Sequence, residues 1–267
     1  IEPNTGVVKV PDPNLHLINR FIPTERLLPS IVRIVDIAGL VRGASKGEGL
    51  GNKFLSHIRE VDAVLQVVRC FEDENITHVD GGIDPIRDIE TIETELLLAD
   101  LEAAEAALYK TAKIARSGDK DAQIRAKLLE QCVAALQEGK PIRSRGFSDP
   151  QEVKILKSFG MLTAKQVLFI TNVDEADLEA GSSAHVEAVK AYAATHGGEV
   201  ITVCAKIESE LSELEPEDRM EMLESLGMKE PALDKVVRAA YHLLGLQSYY
   251  TAGPKEIRAW PIRIGTR

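Results

Sequence analysis

The stretch IVRIVDIAGLVRGASKGEG, at 31–49, restricts this chain more than any other. Its aliphatic and β-branched opening, Ile31 to Val35, reads as a strand that stops at Asp36. Gly39, Gly43, Gly47, Gly49 and, a little further on, Gly51 then crowd the backbone. A strand that ends in a carboxylate and hands over to a glycine-rich loop is a device of α/β sheets, which bind ligands at the carboxyl ends of their strands. Glycine lets backbone approach such a ligand closely and change conformation afterwards. The runs 31–38 and 63–70 are nearly continuous in apolar residues, as expected of strands buried on both faces. LGNKFLSHIREVD between them has helical periodicity, so the segment predicts a strand–helix–strand unit and a parallel sheet.

With 44% hydrophobic residues in 267 the chain can bury a real core, and its net charge of −10 argues against a surface that coats nucleic acid generally. Cys70, Cys132 and Cys204 form no CxxC pair and no even framework, which points to a reducing, cytoplasmic compartment. No apolar run reaches the length of a membrane span, so no membrane partner is expected. The opening IEPNTG and the closing WPIRIGTR read as the ends of a fragment.

A different pattern begins near residue 89. Ile89, Ile92, Leu96, Ala99, Ala103 and Ala106 repeat at alternating spacings of three and four, the apolar seam of a coiled-coil helix. RSGDKDA at 116–122 interrupts it, and Ile124, Leu128, Cys132 and Ala135 form a second stripe. The two predict an antiparallel helical hairpin inserted into the α/β domain. Residues 109–145 carry nine Lys or Arg against four Asp or Glu, a solvated helix face or a local basic patch in an acidic protein. The α/β pattern resumes with QVLFITNVDE, AHVEAVKAYAATHG and GEVITVCAKIE, and LDKVVRAAYHLLGL predicts a closing amphipathic helix. QSYYTAGPKEIRAWPIRIG then has β character with turn residues at Gly253 and Pro254.

Three strand ends carry chemistry. VDIAG holds a D-x-x-G; in P-loop NTPases the aspartate at such a strand end serves Mg²⁺, usually through water, and the glycine N–H meets a γ-phosphate. FITNVDE ends where GTPases place the base-reading N-K-x-D, but here Val173 replaces lysine and Glu175 replaces the reading aspartate. An adenine edge offers an acceptor and an amino donor, so a carboxylate set for guanine gains little from it, and an altered loop suits adenine. VCAKIE places Cys204, Ala205 and Lys206 where such proteins have S-A-K, a loop lending backbone N–H groups to the base. Taken singly, Asn172 and Glu175 are equally suited to capping the helix that follows, and Cys204 to being a small core residue.

In that order, and together with the strings VDIAGLVRGASKGEGLGNKFLSHIRE, VVRCFED and LLGLQSYYTAGPKEIRAW, these anchors resemble the Obg-like ATPase (YchF) family of the translation-factor-related (TRAFAC) P-loop NTPases. The resemblance covers essentially the whole chain. It implies an α/β, G-domain-like, mostly parallel sheet, split as residues 1–88 and 161–245. A coiled-coil hairpin would be inserted at 89–160, and a β-grasp-like TGS domain would begin at 246–267, cut after one strand.

It also implies ATP as substrate, Mg²⁺ held by Asp36, and γ-phosphate sensing by Gly39. Asn172, Val173, Glu175, Cys204, Ala205 and Lys206 would bind the nucleotide. Leu40, Gly43, Gly47, Gly49 and Gly51 would form the second switch, with IEPNTG the tail of the first. Leu40 stands where many GTPases have a water-orienting glutamine, and leucine cannot orient water by hydrogen bonding. The resemblance implies a histidine instead, and His78 matches it; His57, His185, His196 and His242 read as surface residues. The family's G-x-x-N-x-G-K-S loop is expected upstream of Ile1, so the enzyme reading is of the intact protein and this chain alone is expected to be inactive. A monomer working with the ribosome (large subunit or 70S-type particle) and rRNA is the implied setting. A GTPase of the related Obg type, or a nucleotide sensor whose turnover is incidental, are the alternatives.

Overall fold

The computed structural model describes residues 4–37, 50–73 and 82–266. From the amino end come β1 (Asn4–Lys9), α1 (Pro13–Phe21), the two-residue β2 (Leu27–Leu28) and β3 (Ile31–Asp36). Asp12 caps α1 by accepting the Asn14 N–H, and proline at the first helical position needs no partner there. β1 and β3 pair antiparallel, with Asn4 opposite Asp36. The helix α2 (Leu50–Glu60) then leads into β4 (Ala63–Arg69).

β4 lies parallel to β5 (Gln166–Asn172), which lies parallel to β6 (Glu199–Val203). The predicted parallel sheet is therefore real, but β5 is its centre rather than β3 or β4. Val167 and Phe169 of β5 face one side, where they meet Val186, Val189 and Tyr192 of α7 (Ala184–His196). Leu168 and Ile170 face the other, against Val236 of α10 (Ala232–Leu243). Alternate residues buried on opposite faces explain the unbroken apolar run Val167–Ile170. The expectation that 31–38 and 63–70 are buried on both faces does not hold: Ile31 and Val67 are exposed, while Val32 and Val68 are buried. Among the described residues each of these strands is hydrogen-bonded on one side only, β3 to β1 and β4 to β5. The interval between β3 and β4 thus holds a helix but no direct strand pairing, unlike the predicted unit.

The inserted hairpin is α3 (Pro85–Ala115) followed by α4 (Lys120–Gln137). It starts four residues before the predicted seam because Asp84 accepts the Arg87 N–H and Pro85 opens the helix. The seam itself needs correction. Ile89 and Leu96 are buried, but Ala103, Ala106 and Ile124 are exposed, and Ala104 and Leu129, which lie outside the predicted stripes, join Cys132 in the cluster between the helices. A heptad assumes one partner along the whole helix, whereas α3 has two. Its root packs Ile92, Leu96 and Ala99 against Leu55 and Ile58 of α2; beyond that it turns Leu97, Leu101 and Ala104 toward α4. The difference between 3.6 and 3.5 residues per turn supplies the drift.

Two buried acids fix the hairpin's root. Asp100 of α3 accepts the N–H groups of Leu162 and Thr163 at 2.8 and 2.7 Å and the Thr163 hydroxyl at 2.7 Å. Glu93 accepts from Arg143 at 2.7 Å, and the two side chains are 6% and 1% exposed. Arg143 sits on a 3-10 turn (Ile142–Arg145) between α4 and α5 (Pro150–Phe159), and its Nε–H also donates to the Gly197 carbonyl. Heptad reasoning assigns such charges to solvent, so the spacing alone concealed both acids.

The remaining helices are α6 (Glu175–Ala180), α8 (Ala205–Glu213) and α9 (Pro216–Ser225). After α10 the chain forms two strands, not the single strand expected: β7 (Leu246–Ala252) and β8 (Ile257–Arg263) make an antiparallel hairpin about Gly253–Glu256, and β2 adds to β8 in parallel. Ile257 and Ala259 of this hairpin bury themselves against Leu15 and Ile18 of α1 and Leu27.

Candidate nucleotide-binding site

The parallel register aligns Arg69, Asn172 and Val203 at the carboxyl ends of β4, β5 and β6. Three consecutive strand ends therefore open at one edge, the usual place for a ligand in an open α/β sheet. Arg69 points its guanidinium back to its own loop, with Nε–H donating to the Phe71 carbonyl and a terminal N–H to that of Asp73. Cys70, just beyond, is fully buried, and burial together with the Asp177 charge pushes its thiol up to about 11, so it stays protonated and unreactive at neutral pH.

The loop after β5 and the loop after β6 are joined by side chains that the sequence had marked separately. Asn172 Oδ1 accepts the Ala205 N–H at 2.9 Å, across the gap between the two strands. Lys206 Nζ donates to Glu175 Oε1 at 2.7 Å, closing a second bridge outside the first. Both partners of this ion pair are more than half exposed, and the hydrogen bond and charge of Glu175 raise the lysine's pKa. The outer bridge is thus a displaceable contact, while the inner one is a neutral amide tie.

The capping question is settled by the same geometry. Asp174 caps α6, accepting the Asp177 N–H at 2.8 Å; Asn172 is committed to Ala205, and Glu175 is the first residue of the helix. The signal for Asp174 was present in the sequence as an aspartate immediately before a helical run. Val173 is buried in the core and its N–H donates to the Val203 carbonyl, so its side chain faces away from the loop surface. Cys204 is likewise buried, with Ile207 and Leu211. What these two positions can offer a ligand is loop backbone rather than side chain. The Ala205 N–H, the donor expected to face a base, is here spent on Asn172.

Glu208, one turn into α8, accepts the N–H groups of Ala232 and Leu233 at 2.7 and 3.1 Å. This side chain caps α10, so the helix beneath the sheet is fixed to the loop that starts at Cys204. Sequence reading had missed Glu208 entirely, since its partners lie more than twenty positions away.

Asp36 ends β3, exposed and opposite Asn4. One exposed carboxylate at a strand end is the donor that a Mg²⁺ ion carried by phosphates and water takes from a protein. Among the described residues no group of three or more His, Cys, Asp or Glu could hold a metal by itself. Gly39, Leu40, Gly43, Gly47, Gly49 and His78 lie outside the described residues. Gly51 falls within α2, which follows the glycine string directly. The far end of α2 is held by Lys165, whose Nζ donates to the carbonyls of Arg59 and Val61. No helix among the described residues is long and apolar enough to cross a membrane.

A family model described as "50S ribosome-binding GTPase" matches residues 2–101. The "Ribosome-binding ATPase YchF" of Haemophilus influenzae is 49% identical over 265 residues, covering 99% of this chain and 72% of the relative. The protein of the same name from Bacillus subtilis is 47% identical over 268 residues, covering 100% of this chain and 73% of the relative. Among solved structures, that of the Schizosaccharomyces pombe YchF GTPase superposes with a TM-score of 0.85 at 35% identity, covering 100% of this chain and 72% of the other. The P-loop NTPase fold and the length of these matches leave one assignment: the chain belongs to the YchF family.

Proposed function

We propose that this chain belongs to a ribosome-associated ATPase, in which loss of the γ-phosphate rearranges the glycine-rich segment after Asp36. The observation that carries the reading is the pair of bridges between the β5 and β6 loops, Asn172 to Ala205 and Glu175 to Lys206. They bring the altered N-V-D-E loop and the C-A-K loop to one place at the strand ends, where a purine base would lie. The loop lacks the lysine and the aspartate of a guanine-reading N-K-x-D, carrying Val173 and Glu175 instead, and that alteration favours adenine. The names of the relatives, ribosome-binding and ATPase, support the activity and the partner.

In this reading Asp36 holds Mg²⁺ through water, and Mg²⁺ when bound neutralises the charge that builds on the phosphates. Gly39 offers its N–H to the γ-phosphate. His78 orients the attacking water, in place of the glutamine that Leu40 has displaced. The segment from Gly43 to Gly51 is the part that moves, and α2 carries the movement onward. The roles of Gly39, His78 and the glycines rest on the family resemblance.

The test is turnover by the full-length gene product with ATP, GTP and purified ribosomes. ATP hydrolysis that rises with ribosomes, and ATP binding that equimolar GTP does not displace, are expected. Efficient displacement by GTP would replace the adenine reading by that of a GTPase, the activity named for the S. pombe structure. Substitution of His78 by alanine should remove turnover while sparing nucleotide binding; unchanged turnover would take the catalytic role from that residue.

A further inference from the structure

A groove of about 490 Å³ runs between α3, the end of α4 and α7, away from the loops described above. Its volume lies within the roughly 300–1,000 Å³ typical of small-molecule sites. Leu97, Leu98 and Leu101 of α3 line it with aliphatic surface, and Leu98 is left exposed. Tyr192 and His196 also line it, their rings stacked on each other at 3.9 Å.

Glu93 belongs to the same lining. Its Oε2 accepts from Arg143, but its Oε1 is buried and has no hydrogen-bond partner among the described residues. A buried carboxylate oxygen without a donor is costly, and native proteins rarely leave one so. The nearby guanidinium does not serve it, being turned to Oε2 and to the Gly197 carbonyl. Glu90 stands one helical turn before Glu93 on the same face of α3 and is exposed. The groove therefore presents two carboxylates in line, one deep and one shallow, over an apolar surface.

We propose that this groove binds a free aliphatic diamine. One ammonium donates to Glu93 Oε1, the alkyl chain covers the leucines of α3, and the second ammonium meets Glu90. The first ammonium supplies the donor that Oε1 lacks while Arg143 keeps its bond to Oε2, and the second is drawn to the exposed Glu90 carboxylate one turn away. A bare divalent metal is the poorer fit, because Mg²⁺ sheds water reluctantly and gains nothing from a leucine surface. The site is independent of the nucleotide loops, and its ligand is chosen by charge and shape alone.

Calorimetric titration of the purified protein with 1,4-diaminobutane tests this, with 1-butanol and MgCl₂ at matched ionic strength as comparisons. Saturable binding is expected for the diamine and not for the alcohol, with MgCl₂ unable to compete. Glu90→Gln should weaken the diamine about tenfold, and Leu98→Arg, which tethers a cation over the groove, should abolish binding. Both positions are exposed, so these variants fold even if Glu93→Gln, which disturbs the Arg143 pair, does not. Absence of saturable heat, competition by MgCl₂ at equal ionic strength, or an affinity unchanged in both variants would overturn the proposal.

Discussion

The carboxylate of Asp100 and the loop residue Thr163 are bonded twice, through the backbone N–H and the hydroxyl, both at 2.7 Å to the same oxygen. This contact ties the first helix of the inserted hairpin to the turn that feeds β5, and through β5 to Asn172. Replacement of Asp100 by alanine leaves the N–H groups of Leu162 and Thr163 without an acceptor. Since hydrogen bonds to a charged group contribute about 1.5–3 kcal/mol, the variant should lose roughly 3 kcal/mol at pH 7. Burial raises the Asp100 carboxyl above its usual value, outweighing the three hydrogen bonds and the Arg59 charge. The folded state then keeps its proton to a higher pH than the unfolded chain, whose aspartate titrates near about 3.9. Beyond those hydrogen bonds, the stability linked to that proton is full below that value and is lost as pH rises through the folded one. Urea melts should therefore show the gap between wild type and Asp100→Ala widening from pH 7 toward pH 4; a gap that closes would mean a carboxyl held low instead.

Arg143 and Glu93 form the second root. Loss of one member of a buried pair strands the other, so Arg143→Met should cost about 3–5 kcal/mol. Replacing both, as Glu93→Leu with Arg143→Met, should restore most of that loss, because no charge then remains buried. A double-mutant cycle in urea reads the difference; a double variant as unstable as the single would show that the Gly197 bond, not the ion pair, holds the turn.

Gly198 begins β6's approach to the sheet, and a Cβ there would stand 2.6 Å from Phe169 Cε2 and 3.3 Å from the Val167 carbonyl oxygen. Phe169 is fully buried, so its ring has nowhere to retreat. Gly198→Ala should lower stability by about 1–3 kcal/mol, the usual cost of overpacking. Adding Phe169→Leu should recover part of it in thermal melts, whereas an additive loss would place the cause in the backbone.

Asn172 supplies the tie between the nucleotide loops, and an acceptor is all that the Ala205 N–H requires. Asn172→Asp should keep the melting temperature of the wild type, while Asn172→Ala should lose about 1 kcal/mol, the net worth of one hydrogen bond. With the loops untied, ATP affinity of the full-length protein should fall about tenfold in the alanine variant, a change of roughly 1.4 kcal/mol, readable with a fluorescent analogue. Equal affinities in the alanine variant and the wild type would remove Asn172 from the site.

How much of this was legible beforehand depended on whether a residue's partner was near it in sequence or in pattern. QVLFITN announces a doubly buried strand through its unbroken apolar run Val167–Ile170, and the loops it and GEVITV lead into were marked by an abrupt change to polar side chains. The parallel sheet and the inserted hairpin followed. The pairing of Asn172 with Ala205 was not legible, because nothing in either loop encodes the alignment of two strands some thirty positions apart. Asp100 and Glu93 were hidden for a different reason: a stripe analysis sorts residues by polarity and cannot see an acid buried by its hydrogen bonds. The closing segment showed β character on both sides of Gly253 and Pro254, but the family resemblance counted it as one strand; the second strand carries Pro261 opposite Ser248.

The packing of α2 on the root of α3 has a mechanical consequence. Leu55 and Ile58 meet Ile92, Leu96 and Ala99 directly, and Lys165 pins the far end of α2, so a displacement of α2 has little slack in which to dissipate. α3 has 31 residues, and at a rise of 1.5 Å each it is a rod about 46 Å long. A tilt of about 5° at its root carries the tip through roughly 4 Å over that length. If, as proposed, the glycine string rearranges, the hairpin would act as a pointer pivoting beside the helix that follows that string, and a sub-turn adjustment there would become a displacement the size of a side chain at its far end.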